Sequence, residues 1–138
     1  MTKAFIYEVI RRHQLAVLAT GTQEHGPEAA VVGFAVTEQL EIIFDTINTS
    51  RKYRNMIDDA RVALVIGWDE ETTIQYEGTA VLLSGEGADL YKEIYYSVFP
   101  DGRQRAATSP NLVHFKVIPH WVRYSNFNEP VMIEEMSL

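Results

Sequence analysis

The apolar runs of this chain follow one another across connections too short to hold a crossover helix, and that spacing constrains the fold more than any other feature. Leu15-Ala16-Val17-Leu18-Ala19-Thr20 and the stretch Glu28 to Val36 flank the turn chemistry of Gln23-Glu24-His25-Gly26-Pro27, so the two make a hairpin. Thr37-Glu38-Gln39 turns the chain into a third strand, Leu40 to Phe44. Arg61 to Gly67 and Thr72 to Leu83 form a second close pair, with Gly78 placed for a bulge in the longer one. Leu112 to Phe127 alternates well enough for one or two strands divided at Pro119. Parallel neighbours need a crossover of about a dozen residues or more, so the sheet should be mainly antiparallel. Strands in this number around one core close most economically as a barrel. The expected class is mainly β with short helices (α+β), a six-stranded antiparallel β-barrel.

Three helices are expected around it. Phe5, Ile6, Val9 and Ile10 recur at helical spacing near the start. Ser84 is placed to cap a helix running through Val98, with Ala88, Tyr91, Ile94, Tyr95 and Val98 as its apolar stripe. Pro100-Asp101-Gly102 should stop that helix, leaving Asp101 to Pro110 as a mobile loop. The third helix, at Arg51 to Asp59, carries the chemistry. No repeat or linker divides residues 1–138, and a chain of this length suits one domain.

Several function classes recede on composition. With no cysteine there are no disulfides, thiolate nucleophiles or iron–sulfur clusters. A net charge of −7 argues against nucleic acid as a partner, since phosphate backbones need a basic face. His13, His25, His114 and His120 lack metal-ligand spacing, so no metal is expected. No window approaches the roughly 20 apolar residues of a membrane span. The opening MTKAFIYEVIRRH is charged throughout, and the expected location is the cytoplasm.

Against that acidic background, Arg51, Lys52 and Arg54 fall within four positions, where the polar stretch Thr46-Ile47-Asn48-Thr49-Ser50 feeds a helix. A helix start presents unpaired N–H groups and the positive end of the macrodipole. Cations are normally disfavoured there, so basic residues and a hydroxyl gathered at that end point to an anion, in particular a phosphate, more than to the alternative of cations that are merely exposed and slightly unfavourable.

The run Ile42 to Asn55, IIFDTINTSRKYRN, resembles the strand–loop–helix signature of the pyridoxamine 5′-phosphate oxidase-like, FMN-binding split-barrel family. LAVLAT, EHGPEAAVVGF, RVALVIGWD, IQYEGTAVLL and HFKVIPHWVRYS agree with its strand order. The resemblance implies a split β-barrel, FMN as cofactor, and a homodimer with the flavin at its interface. It further implies that Arg51 and Lys52 hold the flavin phosphate, and that a loop carrying Asp45, Thr46 and Ser50 lines the ribityl chain and ring edge. In the family's founding enzyme the strand matching Glu28 to Val36 carries an arginine and a lysine, and an Arg-x-His element lies near the C-terminus. Here that strand has no base, and Arg123-Tyr124-Ser125 lacks the histidine. Those departures favour flavin binding over oxidation of pyridoxamine phosphate.

Thr73 and Gln75 share a strand face and could reach the polar edge of a flavin ring, and an ordinary exposed strand face accounts for them equally. Trp121 lies on the last strand, where the family often sets an aromatic beside the flavin; core packing is the commoner role for such a residue. The functions in play are an FMN-dependent oxidoreductase acting on an unidentified small molecule, a non-catalytic flavin store or sensor, and a split barrel holding a deazaflavin or heme.

Overall fold

The computed structural model describes all residues, 1–138. In chain order the elements are α1 (Lys3–Ile10), β1 (Leu15–Thr22), β2 (Gly26–Gly33), β3 (Ala35–Val36), β4 (Ile42–Ile47), α2 (Arg51–Asp58), β5 (Arg61–Ile66), β6 (Thr72–Leu82), α3 (Ala88–Val98), α4 (Asp101–Thr108), β7 (Leu112–Asn126) and β8 (Met132–Ser137). Every strand pair is antiparallel, and the sheet runs β2-β1-β5-β6-β7-β4-β3, with β8 added against β7. The expected split barrel is present, with eight strands instead of six: β3 is two residues long, and β8 is a short addition that the sequence reading did not find.

The expected strand from Glu28 to Val36 divides at Phe34. Its first part pairs with β1, from Gly33 opposite Leu15 to Gly26 opposite Thr22, and its second pairs with β4. One continuous segment therefore serves both ends of the sheet and brings them round into a barrel, although β2 and β4 do not pair. The interior is filled by residues alternating inward, among them Leu18, Phe34, Phe44, Leu64, Tyr76 and Phe115, each at most 2% exposed. Ile6 and Ile10, fully buried, plug one end from α1. A second, smaller cluster of Ala35, Ile43, Tyr95 and Tyr96 lies on the far side of β3 and β4, under α3.

β7 is unbroken through Pro119. The ladder shifts register between Glu77 and Gly78, leaving His120 as an extra residue between Pro119 and Trp121, so a bulge absorbs the proline. A Cβ on Gly78 would stand 2.4 Å from the carbonyl oxygen of Ile118, which explains a glycine there. Two helix expectations are corrected. Ser84 is not a cap: Gly85 and Gly87 adopt φ of 71° and 87°, and the helix begins only after that turn. Asp101 to Thr108 is the helix α4, because Pro100, with φ −57°, is preset for helical entry as well as for ending α3, and Asp101 opens the first turn.

Candidate functional site

Helix α2 starts where the sequence expects it. Ser50 is its N-cap, with Oγ accepting from Tyr53 N at 3.2 Å and sharing a 2.9 Å hydrogen bond with Thr46 Oγ1. Asp45 and Thr46 belong to β4 and not to the loop, which corrects the expected loop placement. Consecutive strand residues face opposite sides, so the two part company. Thr46 points with Phe44 toward the barrel side and meets Ser50. Asp45 points with Ile43 toward α3 and α4, where its Oδ2 lies 3.9 Å from Arg105 Nη2. Ser50, Thr46, Arg51 and Lys52 are thus one group, and Asp45 is outside it.

A cavity of about 190 Å³ at the start of α2 is lined by Leu18, Thr20, Glu28, Ala29, Ala30, Arg51 and Lys52. Arg51 forms an ion pair with Glu28 at 3.1 Å, and Arg54 approaches the same carboxylate at 3.5 Å. Asn55, fully buried, donates to Glu28 at 2.6 Å and to Thr20 Oγ1 at 3.1 Å. The Asn55 amide does most to hold the Glu28 carboxyl below the usual carboxylate range; burial opposes it, and the Arg51, Arg54 and His25 charges each add a lesser lowering effect. Lys52 is half-buried and takes no part in an ion pair, so its ammonium is the uncommitted cation of the group. The sequence reading missed Glu28, although an acidic residue on a strand where a base was expected was visible.

Thr73, Gln75 and Trp121 sit elsewhere, on the outer face of the sheet. Register puts Val31, Val17, Val65, Gln75, Arg123 and Glu135 side by side across it, with Ala29, Ala19, Ala63, Glu77, Trp121 and Ser137 as the next row. Gln75 and Trp121 help line a cavity of about 120 Å³ on that face. Trp121 is not core: it is half-buried, and its Nε1 donates to Glu135 at 3.1 Å. Thr73 is half-buried opposite Ser125 and lines neither cavity.

A third cavity lies between the two regions and has lining residues in common with each. A groove of about 760 Å³ bounded by β1, the β1–β2 turn, Asp59, Arg61, Glu77, Gly78 and His120 shares Thr20 with the cavity beside Lys52. It shares Ala19, Ala63 and Glu77 with the cavity beside Gln75 and Trp121. Its volume suits a cofactor-sized ligand, for which about 300–1,000 Å³ is usual. The arrangement can therefore take an elongated molecule with an anionic end at α2 and a flat end on the outer face.

A buried polar cluster lies apart from this groove. His114, opposite Asp45 on β7, is 3% exposed, and the rings of Tyr95 and Tyr96 stand edge-on to it at 5.6 and 5.7 Å. Burial pushes its imidazole pKa down, with Asp45 opposing, and burial pushes the Tyr95 phenol well up.

Comparison with known proteins agrees with this fold. A curated pyridoxine/pyridoxamine 5′-phosphate oxidase from Rubrobacter xylanophilus is 35% identical over 92 residues, which is 66% of this chain and 41% of that protein. This chain therefore spans less than half the length of that relative. Among solved structures, a heme binding protein from Mycobacterium smegmatis superposes with a TM-score of 0.82 at 15% identity, covering 99% of this chain and 58% of its own. General Stress Protein 26 from Bacillus anthracis superposes with a TM-score of 0.73 at 19% identity over 100% of both chains. At those identities the structural likeness shows the fold alone. The pyridoxamine 5′-phosphate oxidase family profile matches residues 2–126, and with that span of the chain accounted for, this protein belongs to the pyridoxamine 5′-phosphate oxidase family.

Proposed function

We propose that this chain binds FMN along the groove between α2 and the outer sheet face, as a homodimer, and serves as an oxidoreductase on a small molecule. The observation that carries the reading is the row of neighbouring cavities, each sharing lining residues with the next, between the uncommitted Lys52 ammonium and Gln75 with Trp121. In this reading Lys52, Arg51 and the α2 backbone N–H groups bind the phosphate, and the Ser50 and Thr46 hydroxyls sit beside the ribityl chain. Gln75 and Trp121 meet the ring edge, while Thr73 lies outside the cavities. FMN, when bound, would supply the hydride or electron acceptor, and the protein would contribute binding, orientation and exclusion of water.

The dimer reading rests on the outer face. Val31 is 61% and Val65 is 40% exposed, and small residues on β1, β2 and β5 flank them. An exposed apolar strand surface of that kind is normally covered. Pyridoxamine phosphate is not the proposed substrate. A second dianion beside the flavin phosphate needs further cations, while β2 presents Glu28 and the position after Tyr124 is Ser125.

The test is the visible spectrum of the purified protein, identification of any chromophore it releases, and titration of the apoprotein with FMN. A charge-assisted contact contributes about 1.5–3 kcal/mol, so Lys52→Ala should weaken FMN binding by about 10- to 150-fold. Heme or a deazaflavin released in place of FMN, or an unchanged affinity in Lys52→Ala, would overturn the assignment. Tight FMN binding without turnover with NADPH or dioxygen would favour the store or sensor function.

A further inference from the structure

Two of the three cations at the start of α2 already have an anion, and the chain supplies it. Glu28 reaches across from β2. Its Oε2 lies 3.1 Å from Arg51 Nε, while its Oε1 lies 3.5 Å from Arg54 Nη2 and accepts the 2.6 Å bond from Asn55 Nδ2. Asn55 cannot turn away, because it is wholly buried and its Nδ2 is also tied to Thr20 on β1. Guanidinium groups and a fixed amide converging on one pair of oxygens form the kind of cradle that holds an external oxyanion. Here the occupant is a carboxylate of the same chain. It lines the same cavity as Arg51 and Lys52, so a phosphoryl group entering there meets it directly.

Resting on the reading that α2 seats a cofactor phosphate, we infer that Glu28 is the specificity-determining residue of that seat, an internal counter-ion that a phosphoryl group must displace from Arg51. Two like charges a few ångströms apart repel, so the incoming phosphate either shares Arg51 at a loss or drives the carboxylate out of its bonds. Either way the protein's preference for a phosphorylated ring over the same ring without phosphate is narrower than three clustered cations suggest. Lys52 then provides most of the discrimination, while Arg51 side-chain mobility provides the route of exchange: its side chain is 68% exposed, against 17% for Glu28.

The test compares FMN with riboflavin, which differ in the phosphate alone, on wild type, Glu28→Gln and Lys52→Ala, by quenching of flavin fluorescence. Glu28→Gln keeps an oxygen for Asn55 to donate to and removes the charge. The ratio of FMN to riboflavin affinity should rise about tenfold or more in Glu28→Gln and fall in Lys52→Ala. A ratio that holds or falls in Glu28→Gln while dropping in Lys52→Ala makes Glu28 a structural tie only, and the phosphate seat survives. A ratio unmoved by Lys52→Ala removes the seat itself, and failure of every protein to bind either flavin removes both readings. A second measurement needs no variant. In isotope-labelled wild type, saturating FMN should shift the Arg51 Nε and Glu28 carboxylate resonances together, and riboflavin should leave them in place. Resonances that stay still under FMN would overturn displacement.

Discussion

The hydroxyl pair at the mouth of α2 gives a quantitative check on how the site is built. Ser50 Oγ does two things at once: it caps the helix through Tyr53 N and it partners Thr46 Oγ1, which belongs to a residue only 6% exposed. Losing an N-cap costs about 0.5–2 kcal/mol. Stranding a buried hydroxyl costs about 1–3 kcal/mol more. Ser50→Ala should therefore destabilise the fold by roughly 2–4 kcal/mol, more than a cap alone would explain. Thr46→Val removes the buried hydroxyl with nearly the same shape, so it should cost only about 1 kcal/mol, because Ser50 keeps its bond to Tyr53. In the double variant the stranded group no longer exists. Its cost should be less than the sum of the singles, by about 1 kcal/mol or more. Urea unfolding followed by tryptophan fluorescence supplies all the free energies, provided the m-values agree. Additivity within about 0.5 kcal/mol would refute the coupling and with it the claim that β4 holds the helix start in place.

Two further outcomes are open to measurement. His114 is buried with a lowered pKa, so the unfolded chain binds its proton more tightly than the folded one. Stability should accordingly fall as pH drops below the ordinary histidine value of about 6.5, and His114→Phe should flatten that slope in melts taken between pH 8 and 5. An unchanged slope would mean that other groups carry the acid sensitivity. Val31→Glu places a charge on the exposed apolar outer face at its β2 end, and sedimentation should show a dimer in wild type and a monomer in the variant; a wild-type monomer at micromolar concentration would rule out the shared interface.

Much of the barrel was legible because its signals are local. Turn residues at Gln23 to Pro27, apolar alternation in β6 and β7, and the helix start at Ser50 each declare themselves within a few positions. The failures have two causes. Some residues serve opposite purposes: Pro100 ends one helix and begins the next, so its sequence signal fits a loop as well as α4. Others depend on partners that only the folded chain supplies. β8 is strand only because β7 offers it an edge from Trp121 to Asn126. Glu28 meets Arg51 and Asn55 only once the barrel has formed. Asp45 could have been separated from Thr46 in advance, since neighbours on a strand cannot share a face.

The unpaired gap between β2 and β4 gives α2 a mechanical role. The helix is bonded to both lips of that gap, to β4 through Ser50 and Thr46 and to β2 through Asn55 and Glu28, while Met56 sits in the interior beneath it. It acts as a clasp over a seam that no backbone ladder closes. Amide hydrogen exchange should therefore be fastest along the free edges of β2 and β4, and should slow when α2 is held from outside. A molecule gripped at the clasp would tighten the whole seam, so occupancy of this one small patch would register as protection along two strands that share no backbone ladder.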